Sequence, residues 1–224
     1  MTINSIEMDS KGYEILTGFL SPSELAAMRQ HLGSLGTKPG LKGDQSGGPE
    51  FEFIPDVATR STQHLGQDWV SNLAGLFTDN VGPNIGVVSS SAVSKRANGS
   101  STLPWHQDSV AVDVQARPLV SIVIAIDELD ESNGCLEVIP GSHKRGLLPH
   151  TPGPFGLQAD LGSEPIASLP VVLKAGDAVV LSGGLVHRAG KNNSSTKVTD
   201  LTVILVPWEE GRNLTQVLRE KASI

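Results

Sequence analysis

The stretch Trp105-His106-Gln107-Asp108 contains the residues around which the fold must close. His106 and Asp108 are two positions apart, so on an extended strand both side chains would leave the same face. A further imidazole, that of His187, comes much later in the chain, at the end of a Gly-Gly-Leu-Val-His segment. No local motif spans this separation. A compact β-fold is therefore needed to bring His187 alongside the first pair.

Two imidazoles and one carboxylate are a well-known set of metal ligands. On one side of a metal ion they leave about three of six octahedral positions open, which is the arrangement that non-heme Fe(II) oxygenases use. The pattern therefore predicts that His106, Asp108 and His187 bind a metal ion. A His-X-Asp pair also occurs in ordinary hydrogen-bonded turns, so the surrounding sequence has to decide between the two interpretations.

Several ordered motifs surround the three residues. They are Asp127-Glu128, Ser132-Asn133-Gly134-Cys135-Leu136, Ile139-Pro140-Gly141-Ser142-His143-Lys144, Lys174-Ala175-Gly176-Asp177, and His187-Arg188-Ala189-Gly190 with Asn192. In this order they resemble the phytanoyl-CoA dioxygenase family of Fe(II)/2-oxoglutarate oxygenases. The resemblance also reaches residues 12–35, so it covers most of the chain. It implies the double-stranded β-helix fold of that family.

The resemblance also implies a chemistry for the three candidate ligands. Fe(II) would be held by His106, Asp108 and His187, with 2-oxoglutarate in two open positions and O2 in the third. Decarboxylation of 2-oxoglutarate to succinate would drive hydroxylation of a small organic metabolite or biosynthetic intermediate. Related halogenating enzymes have a small residue in place of the carboxylate, so Asp108 favours hydroxylation over halogenation.

The residues expected to contact the cosubstrate depart from the family pattern. The family generally places an arginine about ten or eleven residues after the second histidine, where this chain has Lys197 and Val198. Lys197 is the predicted anchor for the far carboxylate, as a point charge rather than a bidentate fork. A solvated lysine at the start of a strand is the alternative interpretation, and Arg188 and Arg212 are rival anchors. Gln107 matches a frequent His-Gln-Asp motif and is a second candidate contact, although alternation along a strand would point it away from the iron.

Composition limits the class of protein. The 224 residues carry a net charge of −7 with a pI near 5.3, and no basic stripe is present, which argues against nucleic acid or an anionic membrane surface as a partner. No apolar run approaches the roughly 20 residues needed to span a bilayer. The single cysteine, Cys135, cannot form an internal disulfide, so a cytoplasmic location is expected. The length predicts one domain over residues 1–224 for a small-molecule enzyme, and says nothing about oligomeric state.

Local patterns predict a mainly β (α+β) protein, a jelly roll of the cupin type with supporting N-terminal helices. Ser21, Pro22 and Glu24 form a helix-start signature, and the following helix would leave His31 at its surface or edge. Further helices are predicted over residues 63–77 and 214–221. The predicted strands cover residues 13–19, 51–54, 85–95, 119–126, 135–139, 171–173, 178–181 and 201–206. Residues 146–170 are rich in proline and glycine and predict an irregular loop on the substrate side.

Two further points stay open at this level. Lys95 and Arg96 are expected to be exposed near the mouth of the site, where they would either meet an anionic substrate or be ordinary surface cations. A second functional class is also compatible with the sequence, namely a metal-binding jelly roll without oxygenase activity, either a ligand-binding protein or a divergent isomerase. The absence of an arginine at position 197 or 198 is the feature that favours this alternative.

Overall fold

Strands arranged in two large sheets dominate the fold. In the computed structural model of the chain, the described residues are 3, 5–36, 38–39, 50–58, 73, 77, 85–111, 119–153, 156–163 and 167–207. The helices are α1 (Ser5–Lys11), α2 (Pro22–Ser34) and a single turn, α3 (Asp108–Ala111), with a 3-10 turn at Ser142–Arg145. The strands are β1 (Tyr13–Leu16), β2 (Lys38–Pro39), β3 (Phe51–Pro55), β4 (Ile85–Lys95), β5 (Leu103–His106), β6 (Val120–Ala125), β7 (Leu136–Val138), β8 (His150–Gly153), β9 (Gly156–Ala159), β10 (Leu169–Val171), β11 (Ala178–Ser182), β12 (His187–Ala189) and β13 (Val198–Pro207).

The strand order is that of a jelly roll. The larger sheet has seven strands in the order β1-β11-β6-β13-β4-β3-β2, and the smaller has four in the order β10-β7-β12-β5. The pairs within both sheets are antiparallel. Neighbours such as β6 and β13 are distant in sequence, so the barrel closes only when both halves of the chain are in place. The predicted mainly β jelly roll is confirmed.

Strand β6 shows why the larger sheet lies in the middle of the molecule. All six of its residues are buried, as its nearly continuous apolar sequence predicts. Ile122 and Ile124 face the side packed by Met28 of α2, whereas Val123 and Ala125 face the space between the two sheets. Each fully buried isoleucine side chain contributes about 1.5–3 kcal/mol to folding. The sheet is thus a shared wall between a helix-covered core and the barrel interior.

Helix α2 begins where the sequence predicts. The Ser21 side chain accepts a hydrogen bond from the Glu24 backbone N–H at 3.3 Å, and the Glu24 carboxylate accepts one from the Ser21 N–H at 2.8 Å. This reciprocal capping box, with Pro22 in the first turn, confirms the predicted start. None of the helices in the described part of the chain combines the length and apolar character needed to cross a membrane.

Three local expectations are wrong. His31 is buried, with 4% of its surface exposed, because α2 turns this side chain inward with Met28 and Leu32. Lys95 is also buried, because it is the last residue of β4 and points between the sheets. The segment 146–170 is not wholly irregular, since β8 and β9 pair in an antiparallel hairpin within it. Apart from residues 73 and 77, the helices predicted over residues 63–77 and 214–221 lie outside the described residues.

Candidate metal centre

His106 is the last residue of β5, in the smaller sheet. Its Nδ1 lies 2.8 Å from the carbonyl oxygen of Pro104, an acceptor that requires Nδ1 to carry the proton. The lone pair is then left on Nε2, the atom nearest to Asp108. The local backbone therefore fixes both the ring orientation and the tautomer that a metal ligand needs.

Asp108 begins the single-turn helix α3 two residues later. The strand argument made from the sequence is therefore wrong in detail, because the pair spans a strand end and a helix start rather than one strand. The carboxylate is nevertheless directed into the site. Its Oδ2 accepts a hydrogen bond from the Ser121 hydroxyl at 2.5 Å, and Ser121 belongs to β6 in the larger sheet. Asp108 thus connects the two sheets at the site.

His187 begins β12 and lies directly opposite His106, as its Cα partner in the antiparallel pair of β12 and β5. Its Nδ1 is 3.0 Å from the carbonyl oxygen of Leu185, so the same tautomer is favoured and Nε2 is again free to bind a metal. The side chain is buried, with 5% of the residue exposed. Register between two strands has therefore brought the distant histidine to the pair, as the fold argument requires.

The three side chains form a compact group. One ligand atom from each residue can be chosen such that all lie within 4.8 Å of one another. The Nε2 atoms of His106 and His187 lie 3.6 Å and 3.8 Å from the Asp108 carboxylate oxygens Oδ1 and Oδ2, and the two imidazole centroids are 4.2 Å apart. Two nitrogens and one oxygen therefore converge on one point, with the spacing expected of groups that surround a cation.

The electrostatics of the group favour an anionic Asp108 carboxylate beside a neutral His187 imidazole. Burial alone would raise the pKa of Asp108, but the charges and hydrogen bonds of His187, His106 and Ser121 hold it below its ordinary value. Burial, followed by the neighbouring His106, lowers the pKa of His187 to about 4. Burial also acts to lower the pKa of His106, but the hydrogen bond and charge of Asp108 outweigh it and raise this pKa. A bound divalent cation would be attracted by the same Asp108 carboxylate that raises the pKa of His106.

Gln107 points away from this group and into the loops around it. Its side-chain Nε2 donates to the carbonyl oxygens of Gly146 and Gly184, at 3.0 and 2.7 Å, and its Oε1 accepts from the Leu148 N–H at 2.8 Å. Its backbone N–H donates to Nε2 of His150 at 3.2 Å. With 1% of its surface exposed, Gln107 joins the segments on either side of the site. These contacts support a structural role rather than contact with the cosubstrate.

Lys197 lies outside the barrel interior. Its Nζ is 3.3 Å from the Glu52 carboxylate on β3, and 56% of its side chain is exposed. Its placement just before β13 therefore gives it a surface ion pair instead of a position beside His187. Arg188 is also committed elsewhere, since it binds the Glu137 carboxylate with two hydrogen bonds and lies over the Trp105 ring at 4.7 Å.

One relevant residue was not identified from the sequence, and a second was expected on the exposed surface instead of in the interior. Ser121, which holds Asp108, stands within an otherwise apolar strand, and this single hydroxyl in a buried run was the available signal. Lys95 enters the interior from β4, on the same alternating face of the strand as Ser91 and Val93. Continuing that alternation by one more residue would have predicted an inward lysine.

Comparison with known proteins agrees with this geometry. The family model described as phytanoyl-CoA dioxygenase matches residues 8–197. A dioxygenase from Aspergillus hancockii, hkm4, is 28% identical over 93% of this chain and 74% of its own length. A phytanoyl-CoA dioxygenase from Arabidopsis thaliana is 34% identical over 43% of this chain and 35% of its own length. The crystal structure of EvdO2 from Micromonospora carbonacea var. aurantiaca, in complex with 2-oxoglutarate, superposes with a TM-score of 0.78 at 25% identity, covering 95% of both chains.

The family match extends over most of the chain, and the structural match extends over nearly all of both molecules. Together with the converging His, Asp and His side chains, they decide between the two functional classes that the sequence left open, in favour of the oxygenase. The chain belongs to the phytanoyl-CoA dioxygenase family and is an Fe(II)- and 2-oxoglutarate-dependent dioxygenase.

Proposed function

We propose that His106, Asp108 and His187 are the iron ligands of this dioxygenase, and that it hydroxylates a small organic metabolite or biosynthetic intermediate. The observation that carries the proposal is the convergence of the three ligand atoms within 4.8 Å. Both histidines direct Nε2 toward Asp108 because their Nδ1 atoms bind backbone carbonyls. This is the donor set of non-heme Fe(II) oxygenases.

The residues present fit Fe(II) better than a structural metal. Structural zinc sites are closed by four protein ligands, usually rich in cysteine, whereas only three ligating residues meet here among the described residues. The open positions are what a cosubstrate and O2 require. When bound, the iron supplies the oxidising chemistry in which 2-oxoglutarate is decarboxylated to succinate and one oxygen atom is transferred to the substrate.

The protein contributes orientation and charge. The Ser121 hydroxyl donates a hydrogen bond to Asp108 and orients its carboxylate. The Pro104 and Leu185 carbonyls hold the two imidazoles in the metal-binding tautomer. Asp108 supplies the negative charge that partly neutralises a divalent ion. Because Asp108 fills a ligand position that would otherwise be open to halide, hydroxylation is favoured over halogenation.

The substrate class follows from charge. The phytanoyl substrate for which the family is named is a coenzyme A thioester, whose phosphates need clustered cations. This sequence has no lysine and arginine cluster of that kind, and its net charge is −7. An uncharged or weakly charged small molecule therefore fits better than a coenzyme A thioester, a nucleic acid or a membrane surface. We also propose a single domain and a reducing, cytoplasmic location, the latter supported by the buried free thiol of Cys135.

The test is spectroscopic and does not depend on knowing the substrate. Fe(II) is added to the protein under anaerobic conditions and 2-oxoglutarate is titrated in, which should produce a visible metal-to-ligand charge-transfer band that saturates. A His187→Ala variant with an intact circular-dichroism spectrum should give no band. A folded wild-type protein without a band at saturating 2-oxoglutarate would reject the proposal. A screen of small molecules that follows succinate release then identifies the substrate.

A further inference from the structure

We propose that Lys95, on β4, binds the far carboxylate of 2-oxoglutarate in the barrel interior. This inference rests on the proposed function, since it assigns the second anchor of the same cosubstrate. 2-Oxoglutarate carries two carboxylates, of which one is bound at the metal. The other must enter a space that is largely closed to water, where an unpaired charge is costly. A buried cation is therefore required, and neither Lys197 nor Val198 provides one.

Lys95 is the only buried lysine or arginine in the part of the chain that the structure describes, with 3% of its surface exposed. Its Cα is the partner of Val198 across the antiparallel pair of β4 and β13. Side chains directly opposite in such a pair lie on the same face of the sheet. Val198 belongs to the core between the two sheets, with Val123 and Ala125. Lys95 therefore enters the interior one strand away from Val198, where the family pattern would place an arginine.

The surroundings of the Lys95 ammonium are those of a cation that can exchange partners. Nζ donates a hydrogen bond to the carbonyl oxygen of Gly134, in the turn before β7. Asp200 and Cys135 are the other charged or titratable groups close to it. Burial lowers the pKa of Lys95 while Asp200 acts to raise it, and burial raises the pKa of Asp200 to about 6. The ammonium thus has one neutral hydrogen-bond acceptor and one nearby carboxyl group, and it could gain from a further carboxylate.

A row of side chains connects this lysine to the metal centre. Ser121, which holds the ligand Asp108, and Ala125 lie on one face of β6, and Ala125 is the Cα partner of Asp200. Four residues of extended strand span about 13 Å. An extended 2-oxoglutarate molecule and an extended lysine side chain together cover a distance of this order. One end of the cosubstrate can therefore reach the metal while the other reaches Lys95.

Rival cations are engaged on other faces of the molecule. Lys197 is paired with Glu52 and exposed, and Arg188 is paired with Glu137. Arg96, the neighbour of Lys95, points to the opposite side of the strand, where it pairs with Glu50. Among the described residues, these ion pairs leave Lys95 as the cation placed between the two sheets.

The experiment compares two 2-oxo acids of equal length on the metal-loaded protein. 2-Oxoglutarate and 2-oxopentanoate differ in that the latter has a methyl group in place of the far carboxylate. Each acid is titrated into anaerobic Fe(II) protein, where the charge-transfer band reports binding. Each is also titrated into Mn(II) protein, where calorimetry reports binding. Both readouts measure affinity and not turnover. Lys95→Met should weaken 2-oxoglutarate binding by about 10- to 150-fold, the range for a lost hydrogen bond to a charged group, and leave 2-oxopentanoate binding nearly unchanged.

Matched variants separate this site from general charge effects. Lys174→Met removes an exposed lysine on the turn before β11 and should not change the ratio of the two affinities. Lys197→Met should likewise leave the ratio unchanged, and a collapse of the ratio in this variant would overturn the proposal in favour of Lys197. A folded Lys95→Met protein with the wild-type ratio would also overturn it. If wild-type protein binds neither acid, the proposed function itself fails and this inference fails with it.

Two conservative variants keep the proposal testable if Lys95→Met does not fold. Lys95→Arg retains the charge and should preserve the preference for 2-oxoglutarate. Asp200→Asn removes the carboxyl group that competes for the ammonium, so it should tighten 2-oxoglutarate binding several-fold without affecting 2-oxopentanoate. A purely structural Lys95–Asp200 pair predicts no selective gain from Asp200→Asn, and that result would overturn the proposal.

Discussion

His187 and His106 are direct Cα partners on the antiparallel strands β12 and β5, and their imidazole centroids lie 4.2 Å apart. Two rings that are far apart in sequence thus meet because of strand register alone. A shift of one residue in this pairing would turn His187 to the other side of the sheet. The geometry of the metal centre therefore depends on the register of the smaller sheet, and that register depends on closure of the barrel.

Loss of one candidate ligand should weaken metal binding while leaving the fold in place. His106→Ala and Asp108→Ala are expected to abolish iron-dependent turnover and to lower iron affinity, because each removes one of the three converging ligands. Metal content after dialysis and the circular-dichroism spectrum are the measurements. His143→Ala is a suitable control, since that ring binds the Asp9 carbonyl instead. Wild-type iron content and turnover in the His106→Ala protein would contradict the assignment.

Ser121→Ala should weaken the metal site without removing a ligand. Groups that orient metal ligands typically contribute 10- to 100-fold in metal affinity, and a loss of about that size is expected here. Competition of Fe(II) or Co(II) between the protein and a chelator would measure it. Ser94→Ala provides the matched control, because Ser94 is a buried strand serine that bonds Thr199 instead. Equal metal affinity in the Ser121 variant and the wild type would show that the Asp108 carboxylate is held by other means.

Gln107→Ala should lower stability more than cosubstrate affinity. The substitution leaves the Gly146 and Gly184 carbonyls and the Leu148 N–H without their side-chain partner. Each unsatisfied buried group costs about 1–3 kcal/mol, and because water can reach part of the loop, a total of roughly 2–4 kcal/mol is expected. Urea unfolding measures this loss. A variant with wild-type stability but much weaker 2-oxoglutarate binding would instead support the cosubstrate contact that the sequence suggested.

Asp200 should make stability fall as the pH rises toward neutrality. Its pKa is raised by burial to about 6 in the folded protein, against an ordinary value of 3.8, while Lys95 and Thr202 act in the opposite direction. Between these two values the folded state binds more protons than the unfolded state, so this group contributes stability at low pH that is lost as the pH rises through about 6. Lys95 on β4, Thr202 on β13 and Cys135 before β7 are the polar groups that face this region.

The measurement is the difference in unfolding free energy between wild type and Asp200→Asn at pH 4, 5, 6 and 7. Asparagine does not titrate, so the difference isolates this carboxyl group. Wild type should lose stability relative to the variant across the series. A difference that stays constant, or that grows in favour of wild type, would show that Asp200 remains ionised in the folded protein and is well paired with Lys95.

The sequence by itself determined the parts of this protein that depend on neighbouring residues. The capping box of Ser21 and Glu24 is local hydrogen bonding, so its residues predict it directly. The apolar run 119–126 requires burial on both faces at any position in the sheet, and all six residues of β6 are buried. The candidate ligands were also readable, because His106, Asp108 and His187 appear in order among other motifs of the family.

Only the tertiary structure decided which charged side chains enter the barrel. Lys95 and Lys197 are both lysines next to the end of a strand, and their local sequences do not distinguish them. Strand pairing places Lys95 between the sheets and Lys197 beside Glu52 at the surface. His31 is buried for the same reason, since the sheet against which α2 packs comes from distant parts of the chain. Burial and ion pairing depend on which strands become neighbours. That information is set by closure of the whole barrel, because the free energy of each register is a sum over contacts distant in sequence.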